Sequence, residues 1–173
     1  QAINKITSAV SINTPDTALN NYINRWSAWQ ITGSRLYAKS SVYQNGGANG
    51  FRDQLQDASS FLLTNPEIIK KQILRCCSHQ YEEGDVMHWY HSGMRKSQKR
   101  HKGVRTFCSD DLIWLVWAVC EYVLTTGDYS ILKINAPYIK SEPLSEKERE
   151  RYENPEQSPL RESVYMHCRR AME

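Results

Sequence analysis

The sequence has the length and composition of one ordinary globular domain. Its 173 residues carry a formal net charge of +3, and 40% of them are hydrophobic, with five tryptophans and ten tyrosines to build a core. No apolar run approaches the roughly 18 residues of a transmembrane helix, and residues 1–10 lack the charged-then-apolar order of a signal peptide. These features predict a soluble protein, and so small a charge gives no reason to expect a nucleic-acid ligand.

Cysteine usage favours a reducing compartment. The five cysteines are odd in number, two are adjacent, and three stand in apolar helical patterns, as reduced and buried thiols do. We therefore expect a cytoplasmic location. No Cys-x-x-Cys or His-x-x-x-His spacing occurs, so the sequence predicts no metal site. The cysteines are Cys76, Cys77, Cys108, Cys120 and Cys168.

The first predicted helix starts at Thr-Pro-Asp, residues 14–16. A capping threonine, a proline at the first helical position and an aspartate in the first turn are typical of a helix N-terminus. Apolar residues then recur at helical spacing to about Ala38. We assign Trp26 and Trp29 to the core rather than to a sugar-binding surface.

The stretch 43–57 combines a glycine-rich loop with a polar helix start. Its glycines allow backbone angles that side chains forbid, and a helix from about Phe51 places Asp53, Gln56 and Asp57 on one face. Such a row of hydrogen-bonding groups suits a polyhydroxylated ligand. The alternative is a helix cap followed by a solvated face.

Residues 83–91 follow a predicted helix that begins at Asn65-Pro66. They crowd acids, imidazoles and aromatic rings into a stretch too short and too polar for a helix core. Trp89 is suited to stack on a sugar ring, and Asp85 and His88 are suited to bind hydroxyls. The alternative is a structural loop in which the histidine makes its hydrogen bonds within the protein.

Ser109 is expected to cap another helix, with Asp110 and Asp111 in its first turn. This helix is apolar on nearly every side, which predicts burial, and Gly127 is expected to end it. Carboxylates in a first turn accept backbone N–H bonds, so we expect both aspartates to be ionised, with lowered pKa values.

Two other stretches are predicted to lie at the surface. The basic run 94–105 suggests phosphate binding, but it lacks the interleaved aromatics of a nucleic-acid site, so we favour a solvated loop for its lysines. Residues 137–159 are charged and interrupted by prolines, which predicts a surface connection. A last helix is expected to open at Ser158.

Four of these segments, which we call the marker segments, resemble one family. They are Gly-Phe-Arg-Asp-Gln-Leu-Gln-Asp (50–57), Gly-Asp-Val-Met-His-Trp-Tyr-His (84–91), Gly-Val-Arg-Thr (103–106) and Ser-Asp-Asp-Leu-Ile-Trp-Leu (109–115). The set is similar to the signatures of glycoside hydrolase family 94, the inverting β-glucoside phosphorylases and the related domain of cyclic β-1,2-glucan synthases. The similarity runs from about Thr14 to the end and looks greatest to the cyclic β-1,2-glucan synthase and β-1,2-oligoglucan phosphorylase branches. The chain departs from those branches at Tyr90, Phe107, Cys108 and Val116.

The resemblance implies an all-α fold, part of an (α/α)6 barrel of paired helices. At usual helix lengths the chain holds about half of the helical hairpins. We expect residues 1–13 to be a lead-in segment and residues 14–173 to be a partial barrel domain that stops before the family's general-acid motif. That acid is expected downstream of Glu173. The 173 residues alone are therefore not expected to catalyse the family reaction without the remainder of the same catalytic domain.

The reaction that the resemblance implies is attack of inorganic phosphate on a β-glucosidic carbon to give α-glucose 1-phosphate, or the reverse, chain-forming reaction. Phosphate is then a co-substrate, and no cofactor is expected. The resemblance assigns sugar hydroxyls to Arg52 and Asp53, and phosphate or a carboxylate to Arg105. The other marker residues are expected at the carbohydrate site: Asp57, Asp85, His88, Trp89, Asp110 and Asp111.

The expected partners are a β-glucan or β-glucoside oligosaccharide and inorganic phosphate. No nucleic acid and no membrane is expected to bind this segment, and a homodimer is left open. Two other interpretations stand beside this one. The first is a glycoside hydrolase with the same barrel, whose activity, unlike that of a phosphorylase, would not depend on phosphate. The second is a non-catalytic fragment or carbohydrate-binding remnant.

Overall fold

The computed structural model describes residues 8–37, 47–91 and 102–173. In these ranges helices alternate with antiparallel strands that form two sheets. The predicted all-α fold, half of an (α/α)6 barrel, is therefore wrong, because segments predicted as loops pair as strands and the fold is mixed α and β. The order from residue 47 onward is β1 (Ala48–Gly50), α3 (Phe51–Ser59), α4 (Pro66–Cys77), β2 (Met87–His91), β3 (Lys102–Thr106), α5 (Ser109–Thr126), a 3₁₀ helix (Tyr129–Lys133), β4 (Asn135–Lys140), β5 (Glu150–Glu153), β6 (Glu156–Ser163) and α6 (Val164–Arg170).

The N-terminal segment is helical, as predicted. Two α-helical stretches, α1 (Thr17–Asn21) and α2 (Ser27–Gln30), alternate with π-helical stretches at Tyr22–Trp26 and Ile31–Tyr37. The cap is Asp16 rather than a threonine, since its carboxylate accepts hydrogen bonds from the backbone N–H groups of residues 18 and 19 at 2.8 and 3.1 Å. The predicted end of this helix near Ala38 lies outside the described residues.

The two tryptophans of this segment are at the surface. Trp26 is 53% exposed and Trp29 is 48% exposed. Their rings stack on each other with centroids 5.4 Å apart. The prediction that they belong to the core is wrong, since helical spacing shows only that two side chains share a face and does not show what covers that face.

Helices α3, α4 and α5 build the main core. Each begins close to its predicted start, with Pro66 in the first turn of α4 and Gly127 ending α5 at φ +69°. The predicted burial of α5 holds for one side only, because Ile113, Trp117 and Leu124 remain exposed. The fully or largely buried residues of this core include Phe51, Leu55, Ala58, Ile69, Ile73, Cys76, Cys77, Leu115, Ala118, Val119 and Tyr122.

The larger sheet has the strand order β1-β2-β3-β5, and all of its pairs are antiparallel. Residues 87–91, which belong to the stretch judged too short and too polar for a helix core, form its second strand. Gly103 permits the close approach of β3 to β2, because a Cβ there would collide with the carbonyl oxygen of Trp89. Residues 92–101, which include most of the basic run, lie outside the described residues, and Lys102 is exposed.

The smaller sheet pairs β4 with β6. The prediction of a surface connection at 137–159 followed by a helix from Ser158 is wrong, since both stretches contain strands and α6 begins at Val164. Pro137 and Pro159 fit this sheet because each strand of a two-stranded sheet is an edge, where a missing N–H donor is tolerated. Ser163 caps α6 by accepting a hydrogen bond from the N–H of Met166 at 3.4 Å.

The sequence predicts no membrane-spanning helix and a boundary between residues 13 and 14. Among the described helices, none has the length and apolar character to cross a membrane. The boundary predicted between residues 13 and 14 stays a prediction.

Candidate functional site

The first turns of α3 and α5 meet at an ion pair. Arg52, the second residue of α3, donates a hydrogen bond from Nη1 to Oδ2 of Asp110, the second residue of α5. Both side chains are close to half exposed, so the pair is open to a ligand. Two marker segments that are far apart in the sequence are thereby joined.

His88 brings a third marker segment to the same place. Its Nδ1 lies 2.6 Å from Oδ2 of Asp111, whose side chain is only 3% exposed. The register of β2 shifts between Met87 and Trp89, so His88 stands at an irregularity of the strand. The hydrogen bond with Asp111 raises the pKa of His88 above its usual value.

Asp53 completes the group. A Cβ added at Gly50 would collide with the Asp53 carboxylate, which shows that this side chain folds back over the start of α3. Its charge contributes to raising the pKa values of both Arg52 and His88. We call the group formed by Arg52, Asp53, His88, Asp110 and Asp111 the helix-start cluster.

Cys108 lies at the edge of the helix-start cluster. Its Sγ donates a hydrogen bond to Oδ1 of Asp110 at 3.1 Å, and this contact raises the pKa of the thiol to about 11. The same contact, followed by the hydrogen bond from Arg52, lowers the pKa of Asp110. Asp110 is therefore ionised at neutral pH, as expected, although its partners are side chains. All five cysteines are free thiols, and Cys120 is exposed.

Asp85 and Arg105 form a separate ion pair, in which the arginine is buried and the aspartate is partly buried. Arg105 is 2% exposed and donates from Nε and Nη2 to the two oxygens of Asp85 at 2.7 and 2.8 Å. Burial raises the pKa of Asp85, and the contact with Arg105 opposes that shift. The Arg105 guanidinium also lies over the ring of Tyr81 and bonds to Glu83, Ser141 and Glu142.

These contacts bear on the two roles expected for Arg105. A carboxylate partner is present. The binding of phosphate by Arg105 stays a prediction. The Arg105 guanidinium already donates hydrogen bonds to Asp85, Glu83 and Glu142. Asp57 lies one turn beyond Asp53 on α3 and is half-buried.

Trp89 belongs to an aromatic surface on the larger sheet. Its ring centroid lies 5.4 Å from that of His91 and 5.6 Å from that of Tyr152. Trp89, Val104 and Tyr152 are register partners across β2, β3 and β5. Sequence reasoning missed Tyr152, because it lies in the stretch assigned to a surface connection and carries no local signal of its own.

A groove of about 860 Å³ runs along one side of α5. Asp85 and Asp110 both line it, although they take part in different ion pairs, and Trp114 and Trp117 are part of its apolar wall. Their rings meet edge to face with centroids 5.0 Å apart. The groove thus combines carboxylates with aromatic surface, the two features that sugars require of a binding site.

A family model described as the glycosyl hydrolase 94 superfamily, catalytic domain, matches residues 3–173. The chain belongs to this family. It therefore belongs to a class of carbohydrate-active proteins, and the predicted resemblance to glycoside hydrolase family 94 is confirmed.

Three relatives illustrate the range of the glycosyl hydrolase 94 family. The chain is 41% identical to cyclic beta-(1,2)-glucan synthase NdvB of Rhizobium meliloti over 96% of its own length and 6% of that protein. It is 27% identical to N,N'-diacetylchitobiose phosphorylase of Vibrio proteolyticus, with 73% of this chain and 19% of that protein covered. It is 28% identical to solabiose phosphorylase of Paenibacillus borealis, with 78% of this chain and 15% of that protein covered. The chain thus spans less than a fifth of each of these relatives.

Proposed function

We propose that this chain is part of a carbohydrate-active catalytic domain that binds β-linked glucosides for inverting phosphorolysis to α-glucose 1-phosphate, or for the reverse, chain-forming reaction. Family membership supports the class of reaction. The name of the glucan synthase supports glucosyl groups as reactants, and the names of the two phosphorylases support phosphate. The observation that carries the proposal is the convergence of three marker segments in the helix-start cluster.

The helix-start cluster has the chemistry to bind sugar hydroxyls. A hydroxyl both donates and accepts hydrogen bonds, so it pairs well with a guanidinium beside a carboxylate. Arg52 and Asp110 offer that combination at a half-exposed position. Asp111 is buried and holds His88 through a 2.6 Å contact, which fixes the orientation of a second, more exposed hydrogen-bonding group.

The aromatic surface formed by Trp89, His91 and Tyr152 complements these polar groups. Trp89 follows His88 directly in β2, and Tyr152 is half exposed. Flat rings bind the apolar faces of pyranose units, while charged groups bind the hydroxyls at their edges. We assign the glucosyl unit at the reacting end to the helix-start cluster and a neighbouring unit to Trp89.

Cleavage of the glycosidic bond requires an acid that protonates the leaving oxygen while phosphate attacks the anomeric carbon. Asp110 does not suit this role because Cys108 and Arg52 lower its pKa and keep it ionised. Within the proposal the helix-start cluster therefore binds and orients the sugar, and we assign the proton donor to none of its members. Inorganic phosphate is the proposed co-substrate.

Carbohydrate binding is tested by titrating the chain with β-linked gluco-oligosaccharides under saturation-transfer NMR. We expect Arg52→Ala to weaken binding by several kcal/mol, because it leaves sugar hydroxyls without their charged donor, while Asp110 keeps its hydrogen bond from Cys108. Asp110→Asn is a milder second variant. Arg161→Ala is the matched control, since this arginine is exposed on β6 and donates a 3.4 Å hydrogen bond from Nη2 to the backbone carbonyl oxygen of Asn135. Equal binding by the Arg52 and Arg161 variants would refute the assignment.

Reaction class is decided by the product formed with and without phosphate. Release of glucose 1-phosphate only when phosphate is present supports phosphorolysis. This assay uses a polypeptide that includes the remainder of the catalytic domain, because the 173 residues alone are not expected to turn over substrate. In that polypeptide, phosphate-independent release of free glucose would instead identify a hydrolase, and saturable binding without turnover would identify a carbohydrate-binding module. Each outcome separates one interpretation from the other two.

A further inference from the structure

Three side chains with metal-binding atoms converge beside the helix-start cluster. His88 comes from β2, Cys108 immediately precedes α5, and Asp111 stands in the first turn of that helix. One ligand atom from each, a ring nitrogen, a thiol sulfur and a carboxylate oxygen, lies within 4.8 Å of the other two.

The ligand set selects the kind of cation. Calcium and magnesium prefer oxygen ligands, so a thiol and an imidazole disfavour them. Zinc accepts cysteine sulfur, histidine nitrogen and aspartate oxygen together, and cobalt(II) takes similar sites. Three protein ligands leave a fourth position for water, which is typical of open zinc sites.

The distances are within reach of a zinc ion. Zinc bonds of about 2.0–2.3 Å place tetrahedral ligands roughly 3.3–3.8 Å apart. Ligand atoms that lie up to 4.8 Å apart would therefore close by about 1 Å, whereas Nδ1 of His88 and Oδ2 of Asp111 already lie 2.6 Å apart. Asp111 is buried and fixed by its helix, whereas His88 and Cys108 are partly exposed and can adjust.

The surrounding charges favour a dication. Asp53 and Asp110 add negative charge beside the three ligands, and the positive charge of Arg52 is already paired with Asp110. Asp110 also contacts the sulfur of Cys108 through its other oxygen, at 3.1 Å. Because a metal-bound thiolate has no proton to donate, this hydrogen bond ends when the metal binds, and Asp110 then favours the cation through its negative charge.

We propose that His88, Cys108 and Asp111 bind one borderline divalent cation, such as Zn²⁺, with an open fourth position. Binding displaces the proton of the Cys108 thiol, and the metal–sulfur bond replaces the contact between this thiol and Asp110. The ion links β2 to the start of α5. This inference does not depend on the proposed carbohydrate reaction, because it rests on the ligand atoms alone.

Cobalt(II) titration of the chain in a thiol-free reducing buffer tests the site. We expect a thiolate-to-cobalt charge-transfer band that saturates at about one equivalent and that Zn²⁺ abolishes by displacement. Metal binding to the folded chain also raises its Tm in proportion to the logarithm of metal concentration. A folded wild-type chain that gives no such band overturns the proposal.

Variants identify the ligands. Cys108→Ser should abolish the charge-transfer band, and His88→Gln should weaken binding by more than about tenfold, the lower end of what even outer-shell changes cost. Cys120→Ser is the matched control, because this thiol is exposed on α5 but is not among the three clustered ligands, so its band should match the wild type. A band that survives Cys108→Ser, or one lost equally in Cys120→Ser, would refute the assignment. Circular dichroism confirms that each variant is folded.

Discussion

The Nδ1 atom of His88 lies 2.6 Å from Oδ2 of Asp111, a carboxylate that is almost fully buried. This contact ties the second strand of the larger sheet to the first turn of α5, and it spans 23 residues of sequence. A histidine that contacts a buried carboxylate is also sensitive to pH, since its charge decides whether the pair is an ion pair or a neutral hydrogen bond.

Stability should therefore depend on pH through His88. Asp111 raises the folded-state pKa of this histidine above the ordinary value of 6.5. A raised pKa stabilises the fold fully below the unfolded-state value, and the effect is lost as pH rises through the folded-state value. We expect Asp111→Asn to cost more stability near about pH 6 than near about pH 9, measured by urea unfolding. A loss that is the same at both pH values would contradict this interpretation of the pair.

The Arg105–Asp85 pair should be essential to the sheet. Arg105 is buried and bonds to Asp85 through two nitrogens, so its removal leaves a largely buried carboxylate without a partner. We expect Arg105→Ala to lower the free energy of unfolding by about 3–5 kcal/mol. Arg169→Ala, which breaks an exposed pair with Glu173, should cost less than about 1 kcal/mol.

Arg105→Lys serves if the alanine variant does not fold. It keeps the charge but loses the two-pronged contact with Asp85, so we expect an intermediate loss of stability in chemical denaturation. An Arg105→Ala chain that unfolds at the same urea concentration as the Arg169→Ala chain would show that the pair is not structural.

Gly84 should resist substitution more strongly than Gly127, although both have positive φ angles. At Gly84, with φ +107°, a Cβ would collide with the backbone carbonyl of Arg170. At Gly127 no atom lies within 4 Å of the added Cβ. We expect Gly127→Ala to cost about 1 kcal/mol from backbone strain alone, and Gly84→Ala to cost at least about 2 kcal/mol more. Thermal and urea unfolding of the two variants measure the difference, and equal losses would contradict the close packing of α6 on this turn.

Trp89 should contribute to oligosaccharide binding. Its ring lies next to those of His91 and Tyr152 on the larger sheet, and Trp89 follows His88 in the sequence of β2. We expect Trp89→Ala to weaken binding of a β-linked gluco-oligosaccharide about tenfold, equivalent to about 1.4 kcal/mol, by loss of stacking. Trp26→Ala is the control, because Trp26 is exposed and stacked on Trp29 in another part of the chain. Similar affinities for the two variants would remove Trp89 from the site.

Local sequence determined the helix ends. Pro66 and Gly127 set the start of α4 and the end of α5, because each acts through its own backbone geometry and needs no distant partner. The sequence also identified the family and pointed to Arg52, Asp53, His88, Asp110 and Asp111, which the fold brings together.

Tertiary structure alone decided which segments became strands and which side chains met. Residues 150–153 are mostly charged and carry no strand pattern of their own. They form a strand because β3, about 50 residues earlier in the chain, supplies their hydrogen-bonding partners. Arg52 and Asp110 are 58 residues apart, and the metal-ligating set draws on a strand and a helix start, so no ligand spacing in the sequence could reveal it. Trp26 shows the same limit for burial, since a helix face is buried only when another element covers it. Contacts of this kind depend on how elements pack, and packing is not encoded at any single position.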